Sequence, residues 1–308
     1  MQTNNSQSPK LPDRKWRKIG EKAIEVALFL AAFSSVAITA SIIGILFYES
    51  LSFFSQVSLW RFFADPTWAP SDTAEDGKYG ILSLVTGTVV ITLVALLVAI
   101  PMGTIVAIYL SEFAKPIVRE VVKPMLELLA GVPTVVYGYF ALLFVSPILQ
   151  ALVPSMGGSS MLSAGLVMGI MIIPYISSLS EDAMRAVPVS LREGSYAMGS
   201  TRLHTTLNVV LPASISGISA AYILGISRAI GETMIVAIAA GGQANLTVNP
   251  LDPALTITAY IVSVSKGDIE HGSIEYQTIF AAGLTLVLMT LAFNILGHFL
   301  KKKYREAY

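Results

Sequence analysis

The sequence predicts an all-α membrane protein with about six transmembrane helices, both termini on the cytoplasmic side. Three observations carry that expectation: the composition, the number of long apolar runs, and the distribution of charge between them. Of 308 residues, 54% are hydrophobic and only 13% charged, with a mean hydropathy of +0.68. That lies outside the usual composition of a water-soluble domain.

Crossing about 30 Å of hydrocarbon takes roughly 20 apolar residues. Runs of that kind fall near residues 23–48, 81–111, 125–150, 161–180, 213–241 and 277–299. The first is too long, and its leading segment too extended, for a cleaved signal peptide.

Basic residues sort by side. Lys10, Arg14, Lys15, Arg17, Lys18 and Lys22 precede the first span. Lys115, Arg119 and Lys123 join the second to the third, Arg185, Arg192 and Arg202 join the fourth to the fifth, and Lys301, Lys302, Lys303 and Arg305 follow the sixth. An even number of spans places these segments on one face, and the other holds Arg61, Lys78 and Lys266. The positive-inside rule makes the richer face cytoplasmic.

The expected organisation is a basic cytoplasmic tail (1–22), a transmembrane domain (23–300) with an outer segment 50–79 and a cytoplasmic segment 181–212, and a short cytoplasmic tail (301–308). The outer segment carries Phe53, Phe54, Trp60, Phe62, Phe63 and Trp68, then Asp72, Glu75 and Asp76. It reads as an aromatic belt along the membrane surface, or as a docking surface for an external partner.

Several chemistries are excluded. The chain has no cysteine, and its histidines, His204, His271 and His298, lie far apart, so no thiol nucleophile and no metal site is expected. Twenty basic residues balance twenty acidic ones, against a nucleic-acid partner. No G-x-x-x-x-G-K-[ST] loop occurs, so ATP would be hydrolysed by another polypeptide. No catalytic constellation stands out, and the chain reads as a transport subunit rather than an enzyme.

Between spans four and five, Glu193-Gly194-Ser195-Tyr196-Ala197-Met198-Gly199 is followed by Ser200-Thr201-Arg202-Leu203-His204 and ends Val209-Val210-Leu211-Pro212. The pattern predicts helix, glycine break, helix. Gly199 suits the left-handed position that ends a helix, Ser200 the cap of the next, and Leu203, Leu207 and Val210 recur at helical spacing. Pro212 would mark the return to the membrane. Two angled helices make a rigid knob able to transmit a push.

In the fifth span, Arg228 lies about 24 Å along a helix from Pro212 at ~1.5 Å per residue. A charge that deep costs at least about 2.5–3.5 kcal/mol, so it faces a partner or a water-filled path. Glu232, one turn on, is the expected neighbour, with Gly217, Ala221 and Gly225 on the same stripe. In the third span Glu127, Gly131, Thr134 and Gly138 share a second stripe, interrupted by Pro133. Arg228, Glu232, Glu127 and Thr134 are the candidate pathway residues, and a structural ion pair between Arg228 and Glu232 is the other reading. Arginine donates two parallel hydrogen bonds to an oxyanion, and a carboxylate accepts one from a protonated phosphate oxygen, a proton that sulfate lacks. Gly103, Gly131 and Gly231 are candidate flexing points.

The 181–212 segment resembles the EAA loop of ABC importer permeases: a Glu, a Gly six residues later, then aliphatic-x-Leu-Pro. Glu193, Gly199, Val209, Leu211 and Pro212 fit, although Gly194 and Ser195 stand where the family usually has two alanines. Together with Pro66-Thr67-Trp68-Ala69-Pro70, Tyr109-Leu110-Ser111-Glu112, Leu128 to Gly138 and Ser227 to Met234, the chain from about residue 20 resembles the PstC family of phosphate permeases.

The resemblance implies a type I ABC importer permease architecture in a prokaryotic plasma membrane, with inorganic phosphate as cargo. It implies a sister permease of the PstA type, two copies of a cytoplasmic ATPase that binds ATP and Mg, and an external phosphate-binding protein. No cofactor is implied in this chain. Glu193, Gly199, Arg202, Leu211 and Pro212 become the expected ATPase-coupling residues. A permease for another oxyanion, sulfate or molybdate, shares the architecture and is the alternative.

Overall fold

The computed structural model describes residues 14–71, 76–267, 269–270 and 272–303. Lys10, Asp72, Glu75, His271 and Arg305, and with them parts of both expected tails, lie outside the described residues. The chain divides into two compact units, 1–48 and 49–308.

In chain order the helices are α1 (Arg14–Gln56), α2 (Leu59–Ala64), α3 (Leu82–Ile108), α4 (Pro116–Ala130), α5 (Thr134–Phe140), α6 (Ser146–Leu152) and α7 (Met161–Arg185). There follow α8 (Val189–Ala197), α9 (Arg202–Thr205), α10 (Leu211–Ile230), α11 (Met234–Ala239), α12 (Ile257–Ser265) and α13 (Ile274–Lys303). A two-stranded antiparallel hairpin pairs β1 (Trp68–Ala69) with β2 (Lys78–Tyr79).

Six stretches of the described residues are long and apolar enough to cross a membrane: Gly20–Gln56, Leu82–Phe113, Thr134–Leu152, Met161–Arg185, Arg202–Ile230 and Ile274–Phe299. The first unit is helical from Arg14, and along it Ile24, Leu28, Phe29 and Phe33 are exposed.

The second unit is organised around α7. Here α3 runs parallel to it at close range, because small residues let the backbones approach. A Cβ on Gly165 would meet the Val94 side chain at 2.6 Å, and one on Gly169 the Ala95 carbonyl at 2.8 Å. On another side α10 runs antiparallel to α7, with Gly217 against Ala183 and Gly225 against Ile176. Ile91, Ala95, Met168, Met171, Ile172 and Ile176 fill the core between them.

Among the described residues the π-turn π1 (Tyr109–Phe113) ends the helix that α3 begins, and the π-turns π2 (Ala141–Val145) and π3 (Thr206–Val210) interrupt helices that continue. A proline inside an α-helix lacks the N–H and clashes with the carbonyl four residues back. For Pro147 and Pro212 those carbonyls belong to Leu143 and Asn208, inside π2 and π3. There the helix widens to five-residue bonds, Ser146 N–H to Ala141 and Leu211 N–H to Thr206, and continues. The second helix of the 181–212 segment therefore does not stop at Pro212 but runs on into the fifth span.

The outer aromatic residues differ from a simple surface belt. Phe53, Phe62, Trp68 and Tyr79 are buried in a core with Ile81, Leu84 and Tyr260, their rings meeting edge to face at 5.5–6.5 Å. Trp60 and Phe63 do face outward. Ring quadrupoles favour such edge contacts, each worth about 0.5–1.5 kcal/mol beyond area burial.

Candidate functional site

The third span starts later than its apolar run. Residues 116–130 form the separate helix α4, whose Gly131 end and following Pro133 break the chain before α5 opens at Thr134. Gly131 and Val132 cannot carry an unbroken helix into Pro133, because the residue before a proline is pushed out of the α region. Glu127 is exposed on α4, so it does not share one helical stripe with Thr134 and Gly138, as continuous spacing would require. Thr134 is half-buried at the start of α5.

The fifth span breaks in the same way. Helix α10 ends at Ile230 with Gly231 as its cap residue, and α11 begins only at Met234. Glu232 thus leaves the stripe that Arg228 occupies. It is 8% exposed, and its Oε1 accepts from the N–H groups of Met234 and Ile235 at 3.0 and 3.4 Å. The carboxylate holds the start of α11, and its backbone carbonyl accepts from Thr258 Oγ1 at 2.7 Å.

Among the described residues no ion pair joins Arg228 to Glu232, which corrects the expected pairing. Instead Arg228 is exposed, with its guanidinium over the Tyr175 ring of α7, 5.6 Å from the centroid. Cation–π attraction holds the head group, and no carboxylate takes its N–H donors among the described residues. Next to it, Ser227 donates to Ile223 O at 3.0 Å and to Asn294 Oδ1 of α13 at 2.9 Å, fixing this turn of α10.

The two breaks are linked by packing. Helices α5 and α11, which follow them, lie against each other: a Cβ on Gly138 would sit 2.8 Å from Ile238 Cδ1 and 3.2 Å from the Met234 carbonyl. Of the candidate flexing points, Gly131 and Gly231 sit at breaks, whereas Gly103 is a packing residue against Ile176.

The 181–212 segment is a helix, a turn and a helix. Helix α8 closes in a Schellman motif: Gly199 N–H bonds Tyr196 O at 2.9 Å, Ser200 N–H bonds Ser195 O at 3.2 Å, and Gly199 has φ +83°. Thr201, not Ser200, caps the second arm, its hydroxyl accepting from His204 N–H at 3.3 Å. The extended backbone at Thr201 puts its side chain over the first turn, the geometry a cap needs. The Ser195 and Thr205 hydroxyls share a hydrogen bond of 2.8 Å between the arms.

Glu193 and Gly199 are exposed, and Arg202 is exposed with its guanidinium 5.4 Å from the Phe113 ring centre. Leu211 packs against Ala107, Met184, Val187 and Ile218, while Pro212 is exposed.

Two charge clusters beside this segment had no local sequence signal. Glu112 of π1, 6% exposed, accepts from Arg192 of α8 at 3.1 Å and from Ser111 Oγ at 2.9 Å. Arg192 also donates to the carbonyls of Val187 at 2.6 Å and Met184 at 2.8 Å. In the second cluster, Glu181 of α7 is fully buried, bound at 2.8 Å by both Arg119 and Lys123 of α4, with Arg185 at 3.9 Å. Lys123 further bonds Asp182 at 2.7 Å. A buried carboxylate must be paired, and this one ties α4 to α7.

Among the described residues, six apolar stretches, two helix breaks and a helix–turn–helix segment are what a multi-pass membrane protein would carry. Residues 99–306 match the family described as "Binding-protein-dependent transport system inner membrane component". The chain belongs to that family and is a multi-pass plasma-membrane protein with the type I ABC importer permease architecture.

Among curated relatives, a probable ABC transporter permease protein, YqgH, of Bacillus subtilis is 35% identical, covering 95% of this chain and 94% of its own. The phosphate transport system permease protein PstC of Xylella fastidiosa (strain 9a5c) is 33% identical over 77% of this chain and 76% of its own. The fold matches a bacterial ABC transporter involved in the import of the acidic polysaccharide alginate, with a TM-score of 0.62 at 14% identity over 96% of this chain and all of that one.

Proposed function

We propose that this chain is the membrane-spanning permease subunit of an ATP-driven importer of inorganic phosphate. The observation that supports it most directly is Arg228: a cation in the last turn of α10, inside an apolar stretch, held by a ring and free of carboxylates among the described residues. Its planar donors suit a tetrahedral oxyanion. The likeness to phosphate permeases over three quarters of the chain supports phosphate as that oxyanion.

Arg228, Thr134, Glu127 and Glu232 belong to the path in this reading, with unequal parts. Arg228 meets the anion. Thr134 lies where α5 opens, and Glu127 lies on α4 before the break, toward one mouth of the path. Glu232 keeps α11 in place rather than touching cargo.

The partners are a sister permease of the PstA type, two ATPase copies that hold ATP and Mg, and an external phosphate-binding protein. Both termini and the 181–212 segment face the cytoplasm, where the basic residues concentrate. ATP binding closes the ATPases, the segment carrying Glu193, Gly199, Arg202, Leu211 and Pro212 moves, and the path switches between outward and inward access.

The test is ATP-dependent uptake of labelled phosphate into proteoliposomes holding the reconstituted complex, with and without this chain. Uptake that requires the chain supports the assignment; uptake that proceeds equally without it refutes it.

A further inference from the structure

Two arginines reach from the helix pair to adjacent residues of one π-turn. Arg192 of α8 binds Glu112 at 3.1 Å, and Arg202 of α9 lies over the ring of Phe113. Each arm of the pair therefore grips π1, and the Ser195–Thr205 hydrogen bond keeps the arms together.

The Arg192 contact is the stiffer of the two. Its side chain is 15% exposed, that of Glu112 6%, so water screens the pair little. One guanidinium spans three elements: the carboxylate on π1, the Met184 carbonyl at the end of α7, and the Val187 carbonyl in the turn before α8. Planar, multi-donor geometry of this kind fixes relative positions in a way a lysine ammonium does not. π1 itself terminates the second span, Leu82–Phe113, so whatever displaces Glu112 displaces the end of the helix most closely packed on α7. π-turns are rare and recur at functional sites in helices.

We propose that π1 receives the ATPase stroke, with Glu112 and Arg192 as positioning residues that carry the movement of α8 into α3. The proposal rests on the coupling role of residues 181–212 stated above. Neither residue touches phosphate. Glu112 ties the knob to α3, Arg192 ties both to α7, and the Arg202–Phe113 contact keeps the second arm in register.

The experiment measures phosphate imported per ATP hydrolysed by the purified, reconstituted complex carrying Glu112→Gln or Glu112→Asp. Glutamine keeps the shape and one acceptor but removes the charge. Because the readout is a ratio, a lower yield of complex does not enter it. The expected result is a fall of about two- to thirtyfold in Glu112→Gln, the span of coupling changes seen for residues that contact neither ligand, with at least half of it restored in Glu112→Asp. A parental ratio in Glu112→Gln overturns the proposal. So does an equal fall in both variants, which would make side-chain length the requirement, and so does failure of Glu112→Gln to assemble, which would make the contact structural.

Gly199→Val separates this from the coupling assignment. If residues 181–212 do not couple, that variant keeps parental phosphate-stimulated ATPase activity. If only the Glu112 contact is misassigned, Gly199→Val loses that activity while Glu112→Gln keeps its ratio.

Discussion

The guanidinium of Arg228 lies over the ring of Tyr175, 5.6 Å from its centre, and no carboxylate pairs with it among the described residues. One turn further on, where an unbroken helix would have placed Glu232 beside it, the chain has left the helix and that carboxylate caps α11. Arg228 is thereby left as a positioned charge rather than half of a structural pair.

Replacing Arg228 with glutamine removes that charge without a large change in volume. Charge-assisted hydrogen bonds are worth about 1.5–3 kcal/mol, so uptake should fall by roughly ten- to a hundredfold, with the amount of assembled complex unchanged. Purification of the complex and labelled-phosphate uptake on the same preparation check this. Parental uptake would remove Arg228 from the path.

Gly199 sits at φ +83°, and a Cβ at this position would meet nothing within 4 Å, so the cost of a side chain there is backbone strain rather than collision. A β-branched residue in the left-handed region is penalised by roughly 1–2 kcal/mol. Gly199→Val should shift the angle between α8 and α9 and abolish ATPase stimulation by phosphate while the complex stays assembled. Stimulation at the parental level would contradict the role given to residues 181–212.

Glu181 is the one fully buried acid of the α4–α7 clamp among the described residues, and its oxygens are taken by Arg119 and Lys123. Glu181→Gln should lower stability by about 1.5–3 kcal/mol, the worth of hydrogen bonds to a charged group, visible as a lower thermal unfolding midpoint in detergent. An unchanged midpoint would mean that α4 is held by other contacts.

Outside the spans, burial pushes the Tyr260 hydroxyl up to about 12 from 10.0, partly offset by its hydrogen bond to Thr278. A folded-state value above the unfolded one means the neutral form is favoured by folding. Its contribution is complete below pH 10 and is lost as pH rises toward 12. Tyr260→Phe should flatten the fall of the unfolding midpoint across that window, and an identical pH profile in the variant would contradict it.

The number of spans and the helix pair around Gly199 were legible because each is written in local pattern: apolar run length, and a glycine between periodic segments. Glu112–Arg192 and Glu181–Arg119 were not, since their partners are 80 and 62 residues apart and nothing in either neighbourhood names the other. The breaks at 131–133 and 231–233 fall between these cases. Pro133 signals one, but the apolar run passes through it, so hydropathy starts the span too early. At Gly231 there is no proline, and the break depends on Glu232 capping α11, a short helix buried against α5 and the core around α7. Thr201 rather than Ser200 is the cap because the second arm opens at Arg202, one residue later than the glycine break alone suggests.

The most direct measurement of the central claim is ATP-driven uptake of labelled phosphate by the reconstituted complex in the presence of excess unlabelled sulfate or molybdate. The proposed phosphate path predicts uptake unchanged by either competitor and lost with unlabelled phosphate. Suppression by sulfate or molybdate, or transport of either in place of phosphate, would keep the architecture and contradict the cargo.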